Sequence, residues 1–253
     1  LEDYLTAALV DSYAKSPMAM TAENLAEHYH ISREASDELS FRSQSRYKQA
    51  LAKGIFTNEI VDVQIQDKKE TKIINKDEHP KPDVTLEKIK SLKALFKKDG
   101  VVTAATASGI SDGAAASILM SETEAQRRGL KPLARVVAWA SVGCDPTMMG
   151  IGPAFAIRQA LEKANLKLNQ MDLIEVNEAF AAQYLAVEKE LALDPERTNV
   201  NGGAIAVGHP LGASGTRIMN HLVYELERRH GRYAIGSACI GGGQGIAIII
   251  EKV

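Results

Sequence analysis

From Lys131 to the C-terminus the chain alternates strand-like and helix-like segments in an order that admits few folds. PLARVVAWASVG reads as a strand, and Pro153 occupies the favoured first position of a helix running to about Ala164. MDLIEV is again strand-like, and EAFAAQYLAVEKEL carries helical periodicity. A glycine-rich loop, NGGAIAVGHPLGASG, precedes a long helix that ends in the basic ERRH before Gly231. RYAIGSA and GIAIIIEK close the chain, joined by so few residues that they must pair antiparallel. The order β-α-β-α-loop-α-β-β predicts a mixed, mostly parallel sheet covered by helices.

The segment before about Gly100 has a different texture: charged, largely helical and poor in clear strands. LEDYLTAALVDSY reads as an amphipathic helix at the start of the sequence, as if cropped or processed, with no targeting pattern in it. Thr21 and Ser32 are candidate N-caps, and the helical pattern from Ser32 to Ala52 stops at Gly54, a suitable C′ glycine. NEIVDVQI is strand-like and leads into a polar, lysine-rich connection. Thr85 then caps a helix in which Leu86, Ile89, Leu92 and Phe96 share one face. Between the two zones, VVTAATASGISDGAAASILMS reads as a glycine-punctuated turn and a strand whose sheet partners are missing.

Composition excludes several classes. A net charge of −2 and a pI near 6.4 argue against a nucleic-acid partner recruited by bulk charge. The longest apolar run, Ile246 to Ile250, is strand-sized and far short of the roughly 20 residues that span a bilayer. Two cysteines, Cys144 and Cys239, make no disulfide framework and point to a reducing compartment.

Open α/β sheets place their sites where strands turn into helices, and three such turns concentrate polar residues. In VNEAF, Asn177 follows a strand, where an amide can hold water or polarise a carbonyl, or simply cap the next helix. In GGAIAVGHPLGASG, His209 lies among glycines that let a ligand or backbone approach, and it can act as base, acid or oxyanion donor. A loop histidine satisfied by carbonyls is the alternative. The other five histidines lack this setting, His79 sitting in a polar loop. In SACIGGGQG, Cys239 enters a glycine run whose N–H groups, Gly241 to Gly243, can face a developing oxyanion; a small apolar cysteine in a tight connection also fits. Cys144 reads as structural. A phosphate loop is ruled against by the lack of a strand-glycine-helix unit with a following lysine. A metal site is ruled against because His209 and Cys239 have no third ligand at useful spacing. Lys68, Lys69, Lys97 and Lys98 suit a solvated face or the phosphates of an anionic ligand.

VNEAF, GGAIAVGHPLGASG and SACIGGGQG, in this order and spacing, strongly resemble the thiolase family. The resemblance extends through MAMTAEN, ISREASDELSFRSQ, FKKDGVVTAATASGISDGAAA and CDPTMMGIGP, and is nearest to the mitochondrial-type 3-ketoacyl-CoA thiolases. It implies an α/β thiolase-like fold: a complete C-terminal mixed five-stranded sheet domain with helices on both faces (residues 125–253), a mainly helical loop domain (1–100), and an edge of an incomplete N-terminal sheet domain (101–124). By resemblance His209 activates the nucleophile and helps bind the thioester oxygen, Asn177 holds a water beside it, Cys239 is the general acid/base, and the Gly241 N–H contributes to a second oxyanion hole. Ser108, Met18, Phe96, Met149 and Phe180 would line the pantetheine and acyl pocket. The implied reaction is thiolytic cleavage of 3-ketoacyl-CoA, or the reverse Claisen condensation, in fatty acid β-oxidation. Coenzyme A and acyl-CoA serve as substrates, and no cofactor, metal, nucleic acid or membrane insertion is implied. The family pattern also implies a homodimer or tetramer for the full-length form and the mitochondrial matrix as location. Thr106 stands where the family usually has asparagine, and Ala213 where glycine is common. The family's nucleophilic cysteine lies upstream of the position where this sequence begins, so the chain alone is expected to be inactive. A non-catalytic CoA-binding or partner-binding fragment is the alternative. A ketoacyl synthase is disfavoured, because that group lacks the C-terminal cysteine seen here as Cys239.

Overall fold

In the computed structural model, residues 3–67 and 70–253 are described; Lys68, Lys69 and the first two residues of the expected opening helix lie outside them. In chain order the elements are α1 (Tyr4–Ala8), α2 (Met18–His28), α3 (Arg33–Ala52), β1 (Val63–Gln66), β2 (Thr71–Ile74), α4 (Leu86–Lys90), α5 (Glu122–Arg127) and β3 (Ala134–Gly143). Then follow α6 (Gly152–Ala164), β4 (Leu173–Val176), α7 (Ala181–Leu191), α8 (Ala204–Val207), α9 (Ser214–Arg229), β5 (Tyr233–Ile240) and β6 (Gln244–Lys252).

The main sheet has the order β3-β6-β5-β4, with β6 antiparallel to both neighbours and β4 parallel to β5. It therefore has four strands among the described residues, not five, and it is mostly antiparallel. The fifth place is taken by a single bridge, Ile174 with Thr198. Asn199 ends that pairing, because its side chain replaces the backbone in the ladder: Oδ1 accepts from Val176 N and Nδ2 donates to Val176 O, both at 2.9 Å. A side chain that satisfies the edge stops a strand from growing.

Alternation along the strands sends successive residues to opposite faces. Ile235, Ile249 and Ala140 pack with Ile157 and Ala160 of α6, whereas Ala234, Ile250 and Leu173 pack with Ile218, Leu222 and Leu226 of α9. Helices on both faces are thus as expected. Burying each Ile or Leu of these layers contributes about 1.5–3 kcal/mol.

Local signals in the first zone fare unevenly. Ser32 caps α3 by accepting from Ala35 N at 3.1 Å, and Gly54 follows its end at φ 67°. Thr21 is not a cap: it lies inside α2 and its hydroxyl donates to Met18 O at 2.7 Å. Thr85 does cap α4, but the helix stops after Lys90. Leu92 O is taken by Arg33 Nη2 and Leu95 N by Val102 O, so tertiary bonds replace the next helical turn. The opening helix is also short, because Asp11 turns the chain by accepting from Tyr13 N and Ala14 N. The lysine-rich connection contains a strand, β2, that completes an exposed hairpin with β1.

Residues 101–121 form no ladder. Residues 104–106 turn, and isolated bridges join Ala107 to Phe180 and Ile110 to His209. Ile110, Ile118 and Leu119 are exposed.

α3 docks these parts together. Its buried residues include Ser36, Asp37, Ser40, Ser43, Gln44 and Tyr47, a polar stripe at helical spacing. Ser40 Oγ donates to Ala105 O, and Arg46 donates to the carbonyls of Pro195, Thr198 and Asn199.

Candidate active site

β4 delivers Asn177 to the sheet edge, where its N–H donates to Ser237 O of β5 at 2.9 Å. Cys239 lies two residues further along β5, so both leave the sheet at the same end. The helix that follows Asn177 begins only at Ala181, with Phe180 at the N-cap position. The capping alternative for Asn177 is therefore removed.

The GHP turn closes over this edge. Gly208, at φ 93°, ends α8, and His209 N donates to Gly109 O at 2.9 Å. Asn177 Nδ2 and His209 Nε2 are 3.3 Å apart, and His209 Nδ1 is 2.6 Å from Ser214 Oγ. The Ser214 hydroxyl donates its one proton to Pro210 O at 3.1 Å. Ser214 Oγ must then accept from His209 Nδ1–H, which leaves Nε2 with its lone pair facing the Asn177 amide. Asn177 is buried, and its Oδ1 has no partner among the described residues, so an acceptor remains available beside His209.

The electrostatics separate the two titrating groups. Burial, aided by the Arg217 guanidinium, pushes the His209 imidazole down to about 4, so it is neutral near pH 7. Arg217 is itself held by Glu175 at 2.6 Å. Burial pushes the Cys239 thiol up to about 12, partly offset by a backbone hydrogen bond and reinforced by the nearby Cys144. The edge thus carries a neutral imidazole and a protonated thiol.

The other expected residues divide. Ser108 is brought in: its N and Oγ both donate to Ala179 O, at 2.9 and 3.0 Å. Met18 is brought against Gly241, its Sδ 3.7 Å from where a Cβ on that glycine would stand. Gly241 is exposed in the turn after β5. Phe180 packs on the small apolar cluster of α2, and Met149 is buried in the short 3-10 turn Pro146–Ile151. Phe96 is half-exposed, with no described contact to His209, Asn177 or Cys239. Cys144 keeps a structural setting: its N–H donates to Gly243 O and its thiol to Met149 O. Thr106, the departure from the family pattern, caps its own turn by accepting from Thr103 N and donating to Val101 O.

Several residues escaped the sequence reading. Glu178 is fully buried beside Asn177, with Oε2 accepting from Ser43 and Ile205 N and Oε1 from Asn199 Nδ2. Burial raises its pKa, while these three donors work in the opposite direction. Gly203 must be a glycine, because a Cβ there would stand 2.3 Å from the Glu178 carboxyl carbon. His79, placed in a polar loop by the sequence, instead packs against the GHP turn, with Nε2 3.3 Å from Ile205 O. The polar stripe of α3 was the available signal for Ser43 and Gln44. Among the described residues no group of His, Cys, Asp and Glu could hold a metal ion, and no helix is long and apolar enough to cross a membrane.

Two family descriptions cover almost the whole chain: the thiolase N-terminal domain matches residues 1–123 and the thiolase C-terminal domain residues 130–252. With the α/β fold, they place the chain in the thiolase family. It is similar to mitochondrial 3-ketoacyl-CoA thiolase of Mus musculus, 57% identical over 252 residues, covering 100% of this chain and 64% of that protein. It is also 48% identical over 245 residues to acetyl-CoA acetyltransferase of Shinella zoogloeoides, covering 97% of this chain and 62% of that protein. The crystal structure of human mitochondrial 3-ketoacyl-CoA thiolase superposes with a TM-score of 0.93 at 51% identity, covering 100% of this chain and 64% of that one. The chain thus spans about 64% of the length of the mitochondrial relatives it matches.

Proposed function

We propose that this chain carries the acid/base half of a thiolase site that cleaves 3-ketoacyl-CoA to acetyl-CoA and a shortened acyl-CoA, and runs the reverse condensation. The observation that carries the reading is the neutral His209, its Nε2 turned to Asn177, on the same sheet edge as the protonated Cys239. A nucleophilic cysteine from the upstream part of the longer relatives would attack the 3-keto carbon after His209 takes its proton. The carbonyl oxygen, as it gains charge, would be met by His209 and a water on the open Asn177 Oδ1. Breaking the bond between carbons 2 and 3 leaves a carbanion on acetyl-CoA, to which Cys239 delivers its proton. The resulting thiolate then takes the proton of the incoming coenzyme A thiol, whose sulfur attacks the acyl group; the nucleophilic cysteine leaves as a thiolate and recovers its proton from His209. The Gly241 N–H would stabilise the enolate oxygen, and Ser108, Met18, Phe96, Met149 and Phe180 would border the pantetheine and acyl chain.

A crystal structure of the human relative holds CoA, and that protein is 52% identical to this chain. This supports acyl-CoA as the substrate class. The mitochondrial names of the relatives support the matrix and fatty acid β-oxidation as the setting. The domain division is proposed as 1–100 for the lid over coenzyme A, 101–124 for the edge of an N-terminal sheet, and 125–253 for the C-terminal domain. Assembly through the sheets into a dimer or tetramer is proposed for the longer form. Neither Cys144 nor Cys239 stands in for the nucleophile, so the 253-residue chain alone does not turn over substrate.

In a polypeptide that also carries the upstream part of the longer relatives, Cys239→Ala should retain acylation of the nucleophile while overall turnover falls about a hundredfold or more. Loss of acylation together with turnover would count against the assigned role. An unaffected turnover would favour a non-catalytic CoA-binding role for this half.

A further inference from the structure

The peptide of Ile205 is held at both ends by side chains from outside its own loop. Its N–H donates to Glu178 Oε2 at 3.3 Å. Its carbonyl receives Gln44 Nε2 at 3.2 Å and faces His79 Nε2 at 3.3 Å. Ile205 lies in α8, the single turn of helix whose last residue is followed by Gly208 and His209. Gly208 N donates to Ala204 O at 2.8 Å, so whatever fixes this turn fixes where the GHP backbone starts.

The His79 imidazole occupies a place that Gly109 leaves open, and a Cβ on Gly208 would meet it only at ordinary van der Waals distance. A Cβ on Gly109 would stand 2.1 Å from His79 Cε1, and one on Gly208 3.5 Å from His79 Cγ. Gly109 is the residue whose carbonyl accepts His209 N, and it adjoins Ser108. Gln44 makes a second link, since its Oε1 accepts from Lys81 N at 2.9 Å. The segment from His79 to Lys81 is thereby tied to α8 through α3 and through the imidazole itself.

We propose that His79 and Gln44 are positioning residues for His209: they hold the Ile205 carbonyl against the pull of Glu178 on its N–H, and so set the separation of His209 from Asn177. The proposal rests on reading His209 as the acid/base group, but its geometry is measurable without turnover. His79 must carry a proton on Nε2 to donate to Ile205 O. Neither residue touches the reacting atoms. Removing the donors should loosen α8, hydrate the GHP turn and let His209 ionise more readily, because burial is the first cause of its low pKa. Arg217 faces His209 from α9, and Ser214 and Asn177 hold its two nitrogens.

The test is nitrogen-resolved NMR titration of the 253-residue chain. In the unaltered protein His79 should show the Nε2–H tautomer; a resident Nδ1–H tautomer would overturn the proposal without any mutation. His79→Leu and Gln44→Met should each raise the His209 midpoint, by about one unit for His79→Leu. His79→Gln, which keeps a donor, should restore most of the shift. A His209 midpoint unmoved in both folded variants would also overturn it. In the longer polypeptide, His79→Leu should lower kcat about tenfold with KM little changed. Absence of turnover in every form would sink the proposed reaction while leaving the titration result standing.

Discussion

Two helices of similar burial, α3 and α6, do opposite work. α6 buries Ala154, Ala156, Ile157, Ala160 and Leu161 against the sheet, an apolar face that the sequence pattern displays. α3 buries Ser36, Asp37, Ser40, Ser43 and Gln44, and spends them on carbonyls, amides and the Glu178 carboxylate. An apolar stripe finds any apolar partner, whereas a polar stripe is satisfied only by particular groups in particular places. α6 therefore contributes stability, and α3 contributes the relative placement of the NEAF and GHP turns.

Substitutions on α6 and at the Glu178 carboxyl that α3 engages should separate these contributions. Ile157→Ala, on the fully buried face of α6, should cost about 2–5 kcal/mol, read from urea unfolding. It should leave the His209 titration where it was. Glu178→Ala should cost about 2–3 kcal/mol, because Ser43, Asn199 and Ile205 N lose their acceptor inside the protein. Unlike Ile157→Ala, it should also move the His209 midpoint. If Glu178→Ala moves only stability, the contrast between the two helices fails.

Acid should act next. The folded pKa of His209 is about 4 and the model-peptide value is 6.5, so the unfolded chain binds a proton that the folded one refuses. The stability contributed by this group is present above pH 6.5 and is lost as pH falls toward 4, at up to about 1.4 kcal/mol per pH unit. Unfolding midpoints measured between pH 7 and pH 4, with and without His209→Gln, isolate that slope. A variant with the same acid slope would show that the histidine is not buried neutral. The smallest effect is expected from Ser43→Ala, about 1–2 kcal/mol: Glu178 keeps its two other donors, while Gly203 N loses its acceptor.

Much of the second half was legible in sequence, for reasons these helices illustrate. β5 and β6 are separated so briefly that pairing was forced, and α9 shows one apolar face ending at basic residues. His209, Asn177 and Cys239 each sit at a strand or helix terminus marked by glycine or by a change of period. The strand count failed because Asn199 uses a side chain to finish the ladder, which no period reports. Residues 92–96 failed as helix because Arg33, far away in sequence, takes a carbonyl the next turn required. His79 was passed over because its value lies in a glycine elsewhere, Gly109, that vacates its site. The tautomer of His209 depends on Ser214, whose proton is committed to Pro210 O, and that commitment exists only once α9 has formed.

The central claim is that Cys239 is an acid/base group and not the acyl carrier. Intact-mass spectrometry of the 253-residue chain after incubation with acetoacetyl-CoA addresses it directly. A thiol held up at about 12 is protonated at neutral pH and a poor nucleophile, so the mass should remain that of the free chain. A stoichiometric acetyl adduct mapping to Cys239 or Cys144 would contradict the account.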